Sequence, residues 1–596
     1  MSLSLSELYG RFQHNPALLD SISTTDLFKF ITHAAQLRND ILLAQPATHP
    51  LHTPPAHLPT TIAQYLSEAC NIPIDFVPQC WVALRDIVWE RSCIEALRED
   101  PAIAFSQYGS KLGLERDTFY LPNTICTTPG CSHQSPLKNA KQKAVLYYTL
   151  DRGVLPAWDV QLYCATCKTS YHHNYRVCNG RRIYYGDIPS ALQVAEHRYV
   201  ECRIANMWLT SMFVSWTSAT NLARLYELSF IPPTAKSSPL PFSPTLKTED
   251  VWDAVVLLSL LEDCQRREQF LDLPHDGAQE VRFSAAMKAR NDRIRLHGLP
   301  EVEHFCDKCT RFFPNEDGSL KKTSCIVIDG ITIGHPCCSV HNCHIPLAST
   351  RHRFCPTHED RRNTCCVDRC EHPAVQPGLV CDDPLHQEIQ QRRNEREDAG
   401  PVACPNKPLE GNRRITARFG RRRTHNELII VAPCGTIISR ATCYGAEAVS
   451  SVVELVKRTY YAGPNKINQI VFDNNCNMAL LVYGGKDTFF NTIGLSVDVF
   501  HFKSKHSVTD VFCQEHCNPA AYPELLDDNG GWFFNTSIAE QTNVWLAGFN
   551  AICREMVVEK YNFFLDEMIM RRNCITLENL TKGGRHPGYW KPSHFV

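Results

Sequence analysis

The feature that most restricts the fold is a repeated set of cysteines and histidines in the middle of the chain. Each set has two cysteines five positions apart, a third cysteine after ten or eleven intervening residues, and then a histidine. The two sets are Cys338, Cys343, Cys355 and His358, and Cys365, Cys370, Cys381 and His386. Three thiolates and one imidazole fill a tetrahedral zinc and leave no position for water, so the repeat predicts two structural zinc sites in one double module. Neighbouring residues leave the individual ligand assignment open: Cys337, Cys366, His335, His341, His344 and His352.

Composition places this chain among folded, multi-domain proteins of a reducing compartment. Its 596 residues suggest about three to five domains, and 43% of them are hydrophobic. We find no signal-peptide pattern at the start and no apolar run of about 18 residues, so we expect neither secretion nor membrane insertion. The 29 cysteines and 25 histidines then favour metal ligation over disulfides. Because the net charge is only -2, any surface for nucleic acid must be local.

Two further cysteine pairs predict a zinc site nearer the N-terminus. Cys126 and Cys131 are separated from Cys164 and Cys167 by a segment long enough for a β-hairpin. Four thiolates around one metal are typical of a zinc ribbon, in which the metal substitutes for the core that a hairpin lacks. The alternative is four buried cysteines without a metal. Downstream residues could replace or add a ligand: His172, His173 and Cys178.

The remaining cysteines and histidines do not form a complete set by spacing alone. Cys306 and Cys309 are a close pair that needs partners from elsewhere in the chain. A third metal-like group consists of His501, His506, Cys513 and Cys517. Either this group binds one zinc by itself, or two of its members join Cys306 and Cys309.

The segments around the double module predict a sheet whose strands end in acids. An apolar strand beginning near Cys325 ends at Asp329, just before the module. After the module, the pattern predicts a strand hairpin over 428–443, a helix over 446–460, and a strand over 467–472 that ends at Asp473. This is the element order of an RNase H-like fold, in which the first and fourth strands are neighbours and carry two carboxylates at adjacent ends. We therefore expect an RNase H-like α/β core that the zinc module interrupts.

A third acid from a later helix would complete a site for divalent cations. The candidate is Glu540, at the head of a long amphipathic helix whose apolar stripe runs from Trp545 to Val557. Carboxylates held close together favour Mg²⁺ or Mn²⁺, which can activate water or a 3′-hydroxyl and stabilise the leaving oxygen in phosphoryl transfer.

Each of the three acids also has a purely structural alternative. Asp329 precedes a glycine and could form a turn, Asp473 could form a turn at a strand end, and Glu540 could form a capping box with Ser537. The order of the three acids along the chain favours the metal site.

A basic, loop-like segment from Arg392 to Arg423 follows the double module. Its arginines could neutralise DNA phosphates, and a solvated linker is the alternative. The arginines closest to the second part of the core are Arg413, Arg414, Arg418, Arg421, Arg422 and Arg423.

Four strings in the last quarter of the chain carry a resemblance to a known family: VFDNNCNM around Asp473, HFKSKH, CQEHCNP and NTSIAEQTNVWLAGFNAICREMVVEKYNFFLDEMIMRRN. They resemble the core of the KDZ (Kyakuja/Dileera/Zisupton) DNA transposases of fungi. The CTTPGC, CATC and DGITIGHPCCSVHNCHIPLASTRHRFCPTH strings resemble their CxC-type cysteine clusters. The similarity extends over roughly residues 120–580.

This resemblance implies cut-and-paste transposition by an Asp/Asp/Glu site, with Asp329, Asp473 and Glu540 as the matching positions. It also implies structural zinc, catalytic Mg²⁺ or Mn²⁺, a nuclear location, and DNA as the partner at both element ends and target; whether the chain forms a homo-oligomer is left open. The alternative is a catalytically inactive, zinc-dependent DNA-binding or transcription-regulatory protein derived from a transposon. A ubiquitin ligase is disfavoured because the two ligand sets do not interleave.

The predicted fold class is thus a multi-domain α+β protein. Its predicted parts are a helical N-terminal domain at 1–120, a zinc-ribbon-like cluster at 121–187, a helical domain at 188–300, the first part of the core at 301–334, the double Cys3His module at 335–410, and the remainder of the core with its Glu540-bearing helix at 411–596.

Overall fold

The structure is a computed structural model. It describes residues 5–590 except 14–17, 19–21, 47–48, 90–108, 110–111, 113, 115–116, 122–123, 133–135, 232–239, 315–316, 368–369, 400–416, 418, 462–466, 484–487 and 508. Arg413, Arg414 and Arg418 lie outside the described residues. The chain divides into two compact units, Met1–Thr118 and Phe119–Val596.

The N-terminal unit is helical, as its amphipathic patterns predict. Its helices are α1 (Leu5–Phe12), α2 (Thr24–Gln36), α3 (Arg38–Leu43), α4 (Thr60–Cys70) and α5 (Val77–Trp89). A capping box between Ser23 and Asp26 begins α2. Apolar residues from these helices, including Phe30, Leu66 and Trp81, form a core of their own.

The second unit begins with an extended, mostly antiparallel sheet that contains a parallel pair of strands. Its strands are β1 (Asp117–Phe119), β2 (Lys138–Thr149), β3 (Gly153–Tyr163), β4 (Ser170–Tyr171), β5 (Tyr175–Cys178), β6 (Arg181–Tyr184), β7 (Ala191–Ala195), β8 (Arg198–Glu201) and β9 (Asp272–Pro274). Strands β2 and β3 form the hairpin that the spacing between the two cysteine pairs predicts. The order across the sheet is β7-β8-β2-β3-β4-β5-β6-β9.

Four helices follow, and they do not form a core of their own. They are α6 (Cys202–Ser215), α7 (Ala219–Phe230), α8 (Thr248–Arg266) and α9 (Ser284–His297). Their buried residues belong to one large cluster that also includes Val327, Val431 and Phe564 from the C-terminal half of the chain. A buried ion pair of 2.6 Å between Arg290 and Glu567 also joins the two parts. The predicted helical domain at 188–300 therefore shares its core with the later sheet.

The later sheet carries the predicted acids. Its strands are β11 (Thr310–Pro314), β12 (Leu320–Ile331), β15 (Asn426–Val431), β16 (Ile437–Cys443), β17 (Gln469–Phe472) and β18 (Gly494–Ser496). Three short strands lie outside this sheet: β10 (His304–Phe305), and β13 (Pro336–Cys337) and β14 (Arg422–Arg423), which lie between β12 and β15 in the chain. The order is β16-β15-β12-β17-β18, and β11 pairs with the first half of β12. Strand β15 is antiparallel to β12 and β16, whereas β12, β17 and β18 are parallel.

Alternate residues of β12 face opposite sides of this sheet. Cys325 and Val327 belong to the large cluster with the helices, whereas Ile326 and Ile328 belong to a second cluster. The second cluster includes residues of α11 (Val449–Tyr460) and α12 (Asn475–Tyr483), the helices that connect β16 to β17 and β17 to β18. A strand covered on both faces must be apolar throughout its length, which explains the continuous run Cys325 to Ile328.

The cysteine- and histidine-rich segment is inserted between β12 and β15. The short strands β13 and β14 pair at its base, Pro336 with Arg423 and Cys337 with Arg422, so the segment enters and leaves at one point. It contains α10 (Pro384–Ala399), and none of the side chains described on this helix is buried.

The long helix predicted from Glu540 is in fact interrupted. It is divided into α15 (Ile538–Ala547), α16 (Asn550–Cys553) and α17 (Val558–Lys582). Two short helices, α13 (Val499–Lys505) and α14 (Val511–His516), precede it, and the strand β19 (Gly588–Tyr589) follows it. The indole of Trp216 packs so closely on Gly548 that any side chain there would collide with it. Its Nε1 donates to the carbonyl oxygen of Trp545 at 3.0 Å, and this capped carbonyl marks the end of α15.

Candidate active site and metal centres

Two of the predicted acids lie at adjacent ends of parallel strands. Ile328 of β12 is in register with Phe472 of β17, so the residues that follow, Asp329 and Asp473, emerge at the same edge of the sheet. The Asp-Gly turn is not formed, because Asp329 lies within β12 and its Oδ1 accepts a hydrogen bond of 2.8 Å from the amide of Gly330. A side chain at position 330 would displace the ends of the Asn426 and Glu447 side chains.

The third acid, Glu540, lies in the first turn of α15, which packs on β12 and β15. Ser537 makes no side-chain capping bond, so the capping-box alternative is not observed. One turn after Glu540, Asn543 donates from Nδ2 to Asp329 Oδ2 at 2.7 Å and fixes that carboxylate. Burial, and then the negative charge of Glu540, raises the pKa of Asp329.

The imidazole of His501 lies between the other two acids, Asp473 and Glu540. His501 Nδ1 lies 3.0 Å from Asp473 Oδ1 and 3.2 Å from Asp498 Oδ1, and its Nε2 lies 3.4 Å from Glu540 Oε1. Asp498 caps α13 by accepting from the amides of Phe500 and His501, so the helix start holds the imidazole in place. His501 is therefore part of the acid site and does not lie with Cys513, as one of the predicted groupings required.

A further carboxyl group, that of Glu447, lies close to Asp329. Glu447 accepts a hydrogen bond of 2.6 Å from Asn426 Nδ2, and burial followed by the charge of Asp329 raises its pKa. Sequence reasoning missed Asn543, Asp498 and Glu447. The spacing of Asn543, three residues after Glu540 on one helix, was the available signal, because residues at that spacing share a face.

The donor set at this edge fits Mg²⁺ or Mn²⁺. These cations prefer carboxylate oxygens and retain several waters, so they need an open site. The side chains of Asp473 and Glu540 are 40% and 50% exposed, whereas Asp329 is half-buried. One side of the site is therefore accessible to water and to a phosphate, and the other side is fixed by the sheet.

The first cysteine tetrad lies at the end of the β2–β3 hairpin. Cys126 and Cys167 have their sulfurs 3.6 Å apart, and Cys131 and Cys164 have theirs 3.8 Å apart. All four sulfurs lie within 4.8 Å of one another, a spacing compatible with one tetrahedral zinc. The hydroxyl of Tyr171 lies 3.1 Å from the sulfur of Cys126 and supports the set from outside.

The double module forms the two tetrads that the repeat predicts, Cys338, Cys343, Cys355 and His358, and Cys365, Cys370, Cys381 and His386. In the first, the sulfur of Cys355 lies 3.3 Å from Nδ1 of His358, and in the second, that of Cys381 lies 3.1 Å from Nδ1 of His386. The tetrads follow one another along the chain and do not interleave.

Neighbouring candidate ligands lie outside these two tetrads. Cys366 is buried, and its sulfur is not among the four donors that converge in the adjoining tetrad. His335 is buried against Tyr561, and burial lowers the pKa of its imidazole to about 4. His344 stacks on Tyr444.

The third constellation is rearranged relative to the prediction. His506 Nδ1 lies 3.5 Å from the sulfur of Cys476 and 3.3 Å from that of Cys513, and the two cysteines are joined by a disulfide. The three side chains also lie close enough together to bind one metal ion. Metal ligation by His506 and Cys513 therefore stays a prediction, and sequence reasoning missed Cys476. Cys517 is not part of the group, because it is buried in the apolar cluster under the sheet, where burial raises its pKa to about 11.

Cys306 and Cys309 also find partners other than the predicted ones. They meet His304 and Cys434, the latter in the turn between β15 and β16. Neither His501 nor Cys513 joins them.

Two segments of the chain match known family models. Residues 115–230 match a CxC5 like cysteine cluster associated with KDZ transposases, and residues 327–392 match a CxC6 like cysteine cluster associated with KDZ transposases. The chain carries two KDZ-associated cysteine clusters. The resemblance to KDZ transposases is thereby confirmed on two separate segments. No curated protein and no solved structure matches the chain.

The two matched segments contain three of the tetrads. The CxC5-like cluster contains Cys126, Cys131, Cys164 and Cys167. The CxC6-like cluster begins at Val327, inside β12, and contains both tetrads of the double module. It therefore includes Asp329 and connects the acid site to the zinc module without a break in the chain.

Three arginines at the end of the basic segment are engaged in the fold. Arg421 and Arg423 form ion pairs of 2.9 and 2.8 Å with Glu555, and Arg422 donates to the carbonyl oxygen of Tyr444 at 2.9 Å. These three side chains anchor β14 and do not form a free phosphate-binding patch.

Among the described residues, no helix is both long and apolar enough to cross a bilayer.

Proposed function

We propose that the chain is a DNA transposase, or a descendant of one, that cleaves DNA and transfers strands at a Mg²⁺- or Mn²⁺-dependent Asp/Asp/Glu site. The observation that carries this proposal is the meeting of Asp329 and Asp473 at adjacent ends of parallel strands, with Glu540 on the helix that packs beside them. The two KDZ-associated clusters support the same class of protein.

The sheet is proposed to be an RNase H-like core. Support comes from the order β16-β15-β12-β17-β18, in which β15 is the strand antiparallel to its neighbours and the first and fourth strands of the core, β12 and β17, lie side by side. In this proposal the double zinc module is an insertion after the first strand.

The residues of the site fall into cation ligands and residues that position those ligands. Asp329, Asp473 and Glu540 would hold the cation, and Asn543 would keep the Asp329 carboxylate in one orientation. His501 would position Asp473 and Glu540 through its two ring nitrogens. A bound cation supplies an activated water or 3′-hydroxyl and stabilises the leaving oxygen. DNA, at element ends and at the target, is the proposed substrate, and the nucleus is the proposed compartment.

A second candidate is a non-catalytic, zinc-dependent DNA-binding or regulatory protein derived from a transposon. The observation that favours it is the imidazole of His501, which already lies within 3.0 to 3.4 Å of oxygens of both exposed acids. In that case the acids would be retained as part of the fold.

A nicking assay with supercoiled plasmid distinguishes the two candidates without knowledge of the element ends. We expect wild-type protein to nick the plasmid with Mn²⁺ or Mg²⁺, and Asp473→Asn and Glu540→Gln to reduce the rate by about a hundredfold or more, because a catalytic metal contributes several kcal/mol and each 1.4 kcal/mol is tenfold. Glu454→Gln, a change of the same kind on the exposed face of α11, should leave the rate unchanged.

Mn²⁺ binding measured by electron paramagnetic resonance provides a second readout that does not depend on DNA sequence. The two site variants should weaken Mn²⁺ binding and keep the wild-type zinc content. Nicking at the wild-type rate by both variants would overturn the proposed site. Binding of DNA by the wild type without any cleavage would favour the regulatory protein.

A further inference from the structure

Four potential ligands converge outside both segments that match the KDZ-associated clusters. They are His304, Cys306, Cys309 and Cys434. The sulfurs of Cys306 and Cys309 lie 3.5 Å apart, and the sulfur of Cys434 lies 3.4 Å from Nε2 of His304. One donor atom from each residue lies within 4.8 Å of the other three. The donor atoms of each tetrad in the double module also lie within 4.8 Å of one another.

The burial of these donors would be unusual if they bound no metal. His304, Cys306 and Cys309 are 4%, 2% and 4% exposed. An imidazole and three thiols brought into contact in this space leave several weak polar groups facing one another, whereas one zinc would bond all four donors. The donor set of three sulfurs and one nitrogen is the one that the double module uses twice.

The backbone presents these donors in the manner of a metal knuckle. Between Cys306 and Cys309 the chain turns, with the amides of Cys309 and Thr310 both donating to the carbonyl oxygen of Cys306 at 3.1 and 3.0 Å. Cys434 lies at the tip of a second turn, in which the amide of Ala432 donates to the carbonyl oxygen of Thr436 at 2.8 Å. Two tight turns therefore face each other with their cysteines between them.

The set lies where three distant parts of the chain meet. The knuckle connects β10 to β11, and Cys434 belongs to the turn between β15 and β16. Strand β10 pairs with β19 at the end of the described chain, where the amide of Trp590 donates to the carbonyl oxygen of Glu303. A metal here would bond two of these parts directly and hold the third through β10.

We propose that His304, Cys306, Cys309 and Cys434 form a further structural zinc site. Its four protein ligands leave no position for water, so it has no part in the chemistry of the acid site. It fastens the knuckle before β11, and through β10 the C-terminal strand β19, to the β15–β16 turn. The proposal stands independently of the transposase function, since it concerns zinc content and local stability only.

Zinc content of purified full-length variants tests the site. Cys434→Ser should lose about one zinc ion per chain relative to wild type, because three ligands hold zinc poorly. Cys434→His, which restores a ligand, should retain that zinc. The matched control is Cys443→Ser, which changes a buried cysteine at the other end of β16 whose pKa burial raises to about 11. Wild-type zinc content in Cys434→Ser, or the same loss in Cys443→Ser, would overturn the proposal.

A measurement on the wild type decides the matter even if the serine variant fails to fold. Native protein is treated with a zinc chelator, and the alkylation of each cysteine is followed by peptide mass spectrometry. Cys306, Cys309 and Cys434 should become reactive together, whereas Cys443 should stay protected by the sheet. If the three cysteines remain as protected as Cys443 after chelation, burial alone explains the cluster and the zinc site is wrong.

Discussion

The double zinc module and the sheet into which it is inserted are stabilised in different ways. In the module, the two apolar clusters are small and consist mostly of the ligands themselves, with Phe354, Val367 and Val380 as the main additions. In the sheet, every residue of β15 and β17 is buried, and both faces contribute to large apolar clusters. We therefore expect the module to depend on metal for its stability, whereas the sheet is stabilised by hydrophobic burial.

Chelation of zinc should give the largest difference between the two regions. Zinc contributes about 10–16 kcal/mol of apparent binding free energy in zinc-finger peptides, far more than the small clusters of the module can supply. Hydrogen exchange should show loss of protection across the module, from Cys338 to α10, and retained protection in β12, β15 and β17. A module that stays protected without metal would show that the two regions are stabilised alike.

Single cysteine substitutions should distinguish the metal ligands of the module from its other cysteines. Cys365→Ser should release about one zinc ion per chain and expose the second tetrad to exchange. Cys366→Ser, one residue away, should retain the zinc because its buried thiol lies outside the tetrad. Zinc per chain and local exchange report both results; equal losses in the two variants would mean that the ligand assignment is wrong.

In the sheet, loss of a buried apolar side chain should lower the free energy of unfolding. Ile430→Ala, at a fully buried position of β15, should cost about 2–5 kcal/mol. Leu320→Ala is the control, since Leu320 lies in the same sheet and is 75% exposed. Exchange of the β12 and β17 amides under native conditions measures the difference; similar costs in both variants would contradict a sheet held by burial.

The smallest expected effect is at the edge where the sheet carries the acids. Asn543→Ala should weaken Mn²⁺ binding by about tenfold, the lower end of the loss when an outer hydrogen bond to a metal ligand is removed. Gln541→Ala, on the exposed side of the same helix, should have no effect on Mn²⁺ binding. Isothermal titration with Mn²⁺ compares them. Unchanged affinity in Asn543→Ala would show that the orientation of Asp329 does not depend on α15.

The sheet order and the two central tetrads could be predicted because their signals are local. The apolar strand before Asp329, the hairpin and the strand before Asp473 each show their type within a few residues, and each tetrad is closed within its own segment. The interruption of the last helix could not be predicted, because it depends on the contact between Gly548 and Trp216, which comes from a remote helix end.

The two histidines of the third constellation illustrate why spacing alone was insufficient. His501 and His506 look like a ligand pair, but His501 lies on α13 and His506 directly follows it. Five residues on a helix correspond to about 500°, which separates the two side chains by about 140° around the axis. One imidazole therefore faces the acids and the other faces Cys476 and Cys513. Cys434 was missed because nothing near it in sequence completes a set, whereas His304, two residues before Cys306, was a local signal that sequence reasoning did not use.

The pairing of β13 with β14 has a consequence for how such a chain can change over time. Because the module leaves the sheet and returns to it through two neighbouring residues on each side, its size and content are decoupled from the spacing of the strands that flank it. Duplication of a Cys3His unit, its loss, or its replacement by another domain would leave Asp329 opposite Asp473. The position of the insertion therefore allows the module to change in size without moving the strands that carry the acids.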